Sequence, residues 1–153
     1  MTVELGVMLT CSGFLLAVLW MDLIFDVQVR AARDGEIPEQ VLASIAAYYH
    51  RATTTSRPMS RLIAAVMAIL LAALIVRAVR GHDPVWLIGA SAVLVGAPIL
   101  RAAVRTVPNA VRLGHRHDGA AEQTRLARSV YRDHVLCFAS VVAFLVLWLS
   151  RVW

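Results

Sequence analysis

The sequence contains no lysine: all fifteen of its positive residues are arginine, set against ten acidic ones. Its positive charge is therefore carried by planar guanidinium forks suited to bidentate carboxylate and phosphate contacts. The Ala, Val, Leu and Arg bias has a second possible source in a GC-rich coding sequence. Only two cysteines are present, Cys11 and Cys137, which excludes a disulfide framework. They are expected at different depths, with Cα atoms beyond the ~7 Å limit for bridging, and so packed as small apolar thiols. The N-terminal stretch lacks a positive n-region and an A-x-A site, so Met1–Trp20 does not read as a signal peptide. Leu9-Thr10-Cys11 is a poor lipoprotein cleavage site, and the stretch is expected to be a retained first span. There is no P-loop, dinucleotide glycine motif, Ser-His-Asp arrangement or HExxH, and no internal repeat or low-complexity segment.

What is present is apolar. Of the 153 residues 59% are hydrophobic, and mean hydropathy is +0.70, whereas an ordinary soluble domain is roughly half apolar. At this length one domain, 1–153, is expected. Four runs stand out, Leu5–Phe25, Leu62–Val76, Pro84–Leu100 and Val135–Ser150. Three fall short of the ~20 residues that cross a bilayer core, but Arg61, Arg77, Arg101 and Arg151 flank them and can snorkel. A soluble bundle would need polar outer faces, which these runs lack. The expected fold class is all-α: a four-helix transmembrane bundle with spans at about 5–25, 62–79, 84–104 and 134–151.

Arginine counts set an expected orientation. Connection 26–61 carries five arginines and connection 101–134 carries seven, against two in the second connection and one at the C-terminus. Twelve against three places both long loops in the cytoplasm and both termini outside, in a multi-pass protein of a bacterial cytoplasmic (inner) membrane. Pro38 suits the first turn of a helix, and Val41, Leu42, Ile45, Tyr48 and Tyr49 form a stripe at helical spacing. An amphipathic helix over about 38–52, lying in the inner interface, is expected. Asp118 is a candidate N-cap for a helix through Leu126 and Val130, continuous with span four. Pro108 is expected to end span three near Thr106–Val107, and Gly114–Gly119 reads as a turn.

Asp22 lies inside an apolar run, and Asp26 follows one turn later on the same face. A carboxylate within a span costs a few kcal/mol and faces a partner in the bundle. Arg101 and Arg105 repeat that spacing at the corresponding end of span three, so a ladder of Asp22 and Asp26 against Arg101 and Arg105 is expected. It is either a structural clamp or a site in which one group faces a substrate. His134, in Arg132-Asp133-His134, and His50, in Tyr48-Tyr49-His50-Arg51, are placed to converge with Asp22, where histidine can move a proton, bind a metal, ligate haem or merely bond its neighbours. His115 and His117 form a solvated H-x-H pair, too few ligands for a metal site. His82 sits in a plain turn. The hydroxyl run Thr53–Ser56 beside Arg51, Arg57 and Arg61, together with the arginines of the third connection, is suited either to an anionic headgroup or to enforcing topology.

Thr106-Val107-Pro108-Asn109 after span three, followed by His134 at the start of span four, resembles the anthrone-oxygenase-like family of small four-helix membrane proteins. The chain departs from that family in the order of its Pro, Thr and Asn, and in having Cys137 where an arginine follows the family's histidine. The resemblance implies oxidation of a lipophilic aromatic, with Asn109 and His134 at the site.

Two functions follow as expectations. The first is an oxidoreductase-like enzyme on a lipophilic aromatic or quinone-like molecule, with Asp22, His134 and Asn109 catalytic and Asp26, Tyr48, Tyr49, His50, Arg51, Arg57, Arg101 and Arg105 binding. The second is a non-enzymatic lipid-binding or accessory membrane protein using its arginine-rich face. Candidate partners are membrane lipids, a lipophilic small molecule, and further copies or a larger membrane complex. A nucleic-acid partner is not expected, because the basic charge is pinned to a membrane surface without a nucleic-acid motif. A transporter built from several copies is disfavoured by the lack of a broken-helix pair. Nothing in the sequence names a cofactor or a metal.

Overall fold

The structure, a computed structural model, describes residues 2–32 and 34–151. Among them it is all helical, with no strand. We number the helices α1 (Val3–Asp26, tightening into a 3₁₀ turn over Val27–Ala31), α2 (Glu39–His50), α3 (Arg57–Arg80), α4 (Val85–His115) and α5 (Ala120–Leu149). All except α2 are long and apolar enough to cross a bilayer. Their outward faces are apolar: Trp20, Ile24, Ile69, Ile75, Val93, Leu100, Leu136 and Val146 are all exposed. Such rings of exposed apolar side chains are costly in water and ordinary in lipid.

Pro108 does not end a helix. α4 carries two internal prolines, Pro98 and Pro108, each preceded by a π-helical turn, Ala92–Gly96 and Ala102–Thr106. Proline removes an N–H and crowds the carbonyl four residues back, which belongs to Leu94 or Val104, inside those turns. Widening there relieves the crowding, and the helix runs on to His115. Gly114 therefore lies in a helix rather than in a turn. α5 begins directly after Gly119, with no side-chain cap. The expected cap, Asp118, instead accepts a bond from Arg112 at 2.9 Å. The expected continuity of this helix with span four is observed, as one 30-residue helix.

Two cores divide the molecule. In the four-helix body, Met8, Leu15, Leu70, Leu87, Phe144 and Trp148 pack together. In the head, Leu42, Ile45 and Tyr49 of α2 pack on Ala110 and Leu113 of α4 and on Leu126 and Val130 of α5. The apolar stripe of α2 was expected to lie on the membrane interface; its Leu42, Ile45 and Tyr49 are buried against protein instead, with Val41 and Tyr48 partly buried beside them. Gly114 allows this: a Cβ there would stand 2.8 Å from the His50 nitrogen, so any side chain would drive α2 off α4. Cys11 and Cys137 are buried free thiols, as expected.

The end opposite the head carries Thr2, the α3–α4 turn and the end of α5, so the first and last described residues share one side. Arg77 organises that side. Its guanidinium grips Asp83 at 2.7 and 2.8 Å, donates to Thr2 Oγ1 at 2.8 Å and lies 4.7 Å from the Trp148 ring centroid. Trp148 Nε1 donates to Ser91 Oγ at 2.9 Å, tying α5 to α4.

Candidate acid–base site at the head of the bundle

Asp22 and Asp26 occupy successive turns of α1, Tyr48 and Tyr49 the last turn of α2, and His134 the middle of α5. Asp26 has no exposed surface, and both its oxygens are engaged. Tyr49 Oη donates to Oδ1 at 2.6 Å, and His134 Nδ1 stands 2.7 Å from Oδ2. Asp22 Oδ1 accepts from Tyr48 Oη at 2.6 Å, while Asp22 Oδ2 faces His134 Nε2 across 3.9 Å. The result is a chain Tyr49–Asp26–His134–Asp22–Tyr48, closed by hydrogen bonds except at the gap between Nε2 and Asp22. That gap lies at the edge of the site, where the Asp22 and His134 side chains keep 17% and 12% of their exposure.

A carboxylate that accepts from Tyr49 and faces Nδ1 orients the imidazole so that Nδ1 carries the proton and Nε2 is left to exchange one. Both tyrosines remain donors. Burial, followed by the Asp22 carboxylate, pushes the Tyr48 hydroxyl well above its ordinary range; burial, followed by Asp26, does the same for Tyr49. Folded pKa values raised above the unfolded 10.0 leave stability unaffected by these groups below that pH. Above it the unfolded chain releases protons that the folded one keeps, so stability falls, by about 1.4 kcal/mol per pH unit for buried Tyr49 and by less for half-buried Tyr48. Alkaline unfolding followed in detergent is expected to start near pH 10 and to flatten in Tyr49→Phe; an unchanged slope would contradict this.

The expected ladder between α1 and α4 is not formed. Arg101 and Arg105 turn instead to Asp133 on α5, a carboxylate with no exposed surface. Arg101 reaches Asp133 Oδ1 at 2.8 Å through Nε and 2.7 Å through a terminal nitrogen. Thr106 Oγ1 donates to Oδ2 at 3.1 Å, and Arg105 Nε lies 3.6 Å from it. Arg105 and Asn109 also donate to Ser129 Oγ, at 3.0 and 3.3 Å. Adjacent positions on a helix point about 100° apart, so Asp133 and His134 serve two separate clusters.

The candidate residues therefore divide. Asp22, Asp26, Tyr48, Tyr49 and His134 come together. Arg101, Arg105 and Asn109 gather around Asp133 and Ser129. His50 is exposed and turned toward His115, with ring centroids 6.1 Å apart, rather than toward Asp22. Arg51 and Arg57 are exposed around the π-helical turn that follows α2. Among the described residues, no group of three or more His, Cys, Asp and Glu side chains has the geometry to hold a metal ion.

Asp133, Ser129 and Thr106 were not among the candidate site residues read from the sequence. A signal existed: Leu126, Val130, Asp133, Cys137, Val141, Phe144 and Trp148 recur at three- and four-residue spacing, and all are buried. That stripe places Asp133 on the inward face of α5.

No protein-family model matches the chain, and no curated protein or solved structure is significantly similar to it. Its function must be argued from the site.

Proposed function

We propose that the chain is a multi-pass protein of a bacterial cytoplasmic membrane, with its head on the cytoplasmic side, whose His134 centre carries out acid–base chemistry on a lipophilic aromatic or quinone-like molecule. The orientation follows from arginine placement, twelve at the head end against three at the other. The observation that carries the chemistry is His134 held by a buried carboxylate on Nδ1, with Nε2 open toward Asp22. A phenol-type hydroxyl seated at that gap would lose its proton to Nε2, leaving a phenolate beside an imidazolium flanked by Asp26 and Asp22. Deprotonation makes such a molecule easier to oxidise by an external electron acceptor, consistent with the oxidoreductase-like reading and with the resemblance to anthrone-oxygenase-like proteins. Aromatic side chains lie on the same helices: Phe25 stacks on Tyr48, the partner of Asp22, at 4.1 Å, and Trp20 of α1 meets Phe138 of α5 at 6.2 Å. In this reading Asn109, bonded to Ser129, acts on the Arg105 cluster rather than on the substrate.

The test is a chromophoric naphthol titrated with pH in the presence of the detergent-purified protein. Binding is expected to lower its apparent pKa by about 1–2 units and His134→Gln to abolish the shift, with Arg57→Gln as a silent control. A naphthol whose titration is the same with and without protein, or with His134→Gln, would sink the proposal.

A second reading, a non-enzymatic lipid-binding or accessory role, is favoured by Arg51 and Arg57. Both are exposed and, among the described residues, neither has an acidic partner.

A further inference from the structure

A groove of about 610 Å³ runs between the end of α1 with its following segment and the N-terminal half of α5. It is separate from the His134 centre, which does not line it. Four guanidiniums line it, those of Arg30, Arg125, Arg128 and Arg132, with Tyr131 and a single acidic residue, Glu36. These arginines have different tasks. Arg128 donates to the carbonyls of Ala32 and Gly35, both at 2.9 Å, and so fastens the segment after α1 to α5 and holds the groove in shape. Arg125 is held by Glu122 at 2.6 and 2.7 Å. Arg30 lies 5.6 Å from the Tyr131 ring centroid. Arg30 and Arg132 are exposed, and among the described residues neither has a carboxylate partner. Two guanidiniums are thus presented to a cavity, each available for bidentate bonding to a phosphate.

The depth of the groove points to the ligand. Arg30 ends the bilayer-length stretch Val3–Arg30, and Arg132 lies three residues before the apolar run that starts at Val135. Both therefore stand where a helix leaves the hydrocarbon, the level of the lipid phosphates, and Tyr131 is at home at that level. Val29, Ala32 and Ala121 add an apolar lining beside the charged rim. We propose that this groove seats the phosphodiester headgroup of an anionic phospholipid, with Arg30 and Arg132 as its ligands. The inference rests on the lipid-binding reading but assigns it to other residues than Arg51 and Arg57, and it is independent of the acid–base centre.

The test is native mass spectrometry of the detergent-purified chain with phosphatidylglycerol and phosphatidylcholine in competition. The intact protein is expected to retain phosphatidylglycerol preferentially. Arg30→Gln with Arg132→Gln is expected to weaken that retention roughly 10- to 30-fold at unchanged unfolding temperature, and Arg51→Gln with Arg57→Gln to leave it intact. Should the first pair fail to fold, Arg132→Gln alone carries the test with a smaller loss. Equal loss in both pairs would overturn the inference in favour of diffuse surface charge, and loss only in the second would move the site to Arg51 and Arg57. Absence of any preference would overturn lipid binding by either set. Displacement of the lipid by millimolar glycerol phosphate or inorganic phosphate would show a soluble-anion site instead.

Discussion

Asp133→Asn is expected to destabilise the bundle by about 2–4 kcal/mol, although the substitution changes almost no volume. The carboxylate has no exposed surface; two guanidinium nitrogens of Arg101 donate to Oδ1, while Oδ2 takes a hydroxyl from Thr106 and the nearby charge of Arg105. An amide offers one acceptor oxygen and would set its NH₂ against donors. The arginine side chains keep 40% and 44% of their exposure, so part of their charge stays solvated, and the loss falls below that of breaking a fully buried pair. The control is Asp118→Asn, which removes a partly exposed partner of the exposed Arg112 and should cost far less than Asp133→Asn. Thermal or denaturant unfolding in detergent reads both; equal effects would refute the assigned role of Asp133. Because Asp133 joins α5 to α4 at the base of the head, the loss should also appear as proteolytic opening of residues 102–119.

His134→Leu is expected to be the larger of the two, about 3–5 kcal/mol, because it leaves the Asp26 carboxylate buried with only the Tyr49 hydroxyl as a partner. The damage should be relieved rather than compounded by Asp26→Asn in the same chain. A double-mutant cycle should give a coupling of about 1–3 kcal/mol. Additive effects would show that the 2.7 Å contact between Nδ1 and Asp26 carries no energy. Stability and chemistry separate at Asp22: Asp22→Asn keeps the acceptor for Tyr48 and leaves the Asp26–His134 pair whole. It should therefore cost little stability while weakening the naphthol shift, since an imidazolium would lose one of its flanking charges.

The partition of the molecule was visible in its composition. Apolar runs too greasy for a soluble outer face specify helices that can span a bilayer, and the helical spacing of Val41, Leu42, Ile45, Tyr48 and Tyr49 specifies a further helix in the first connection. Both are local consequences of hydropathy and periodicity, which a linear chain carries in full. Helix ends were less legible. Pro108 has a strong local preference against helix continuation, but packing of the flanking α4 segments outweighs it once a π-helical turn relieves the clash. At Gly119, the turn held by the Arg112–Asp118 bond displaces the capping role that residue type alone assigns to Asp118.

The functional reading divides along the same line. That Asp22, Asp26 and His134 need partners follows from the cost of placing ionisable groups in an apolar span, so the sequence alone marks them out. Which partner each takes is a property of helix rotation and crossing. Two carboxylates on α1 and two arginines on α4 with matching spacing satisfy every pairwise rule, yet α5 turns Asp133 toward the arginines and His134 toward α1, while α2 inserts its tyrosines. A rotation of α5 by one residue, about 100°, would exchange those roles without altering hydropathy. By itself the sequence determined the class, the helices and three of the costly polar groups, Asp22, Asp26 and His134, since each depends on a residue and its near neighbours; buried Asp133 emerged only with the packing of α5. Only the tertiary structure decided which groups meet, because contacts between residues such as Asp26 and His134, 108 positions apart, are set by packing of whole helices.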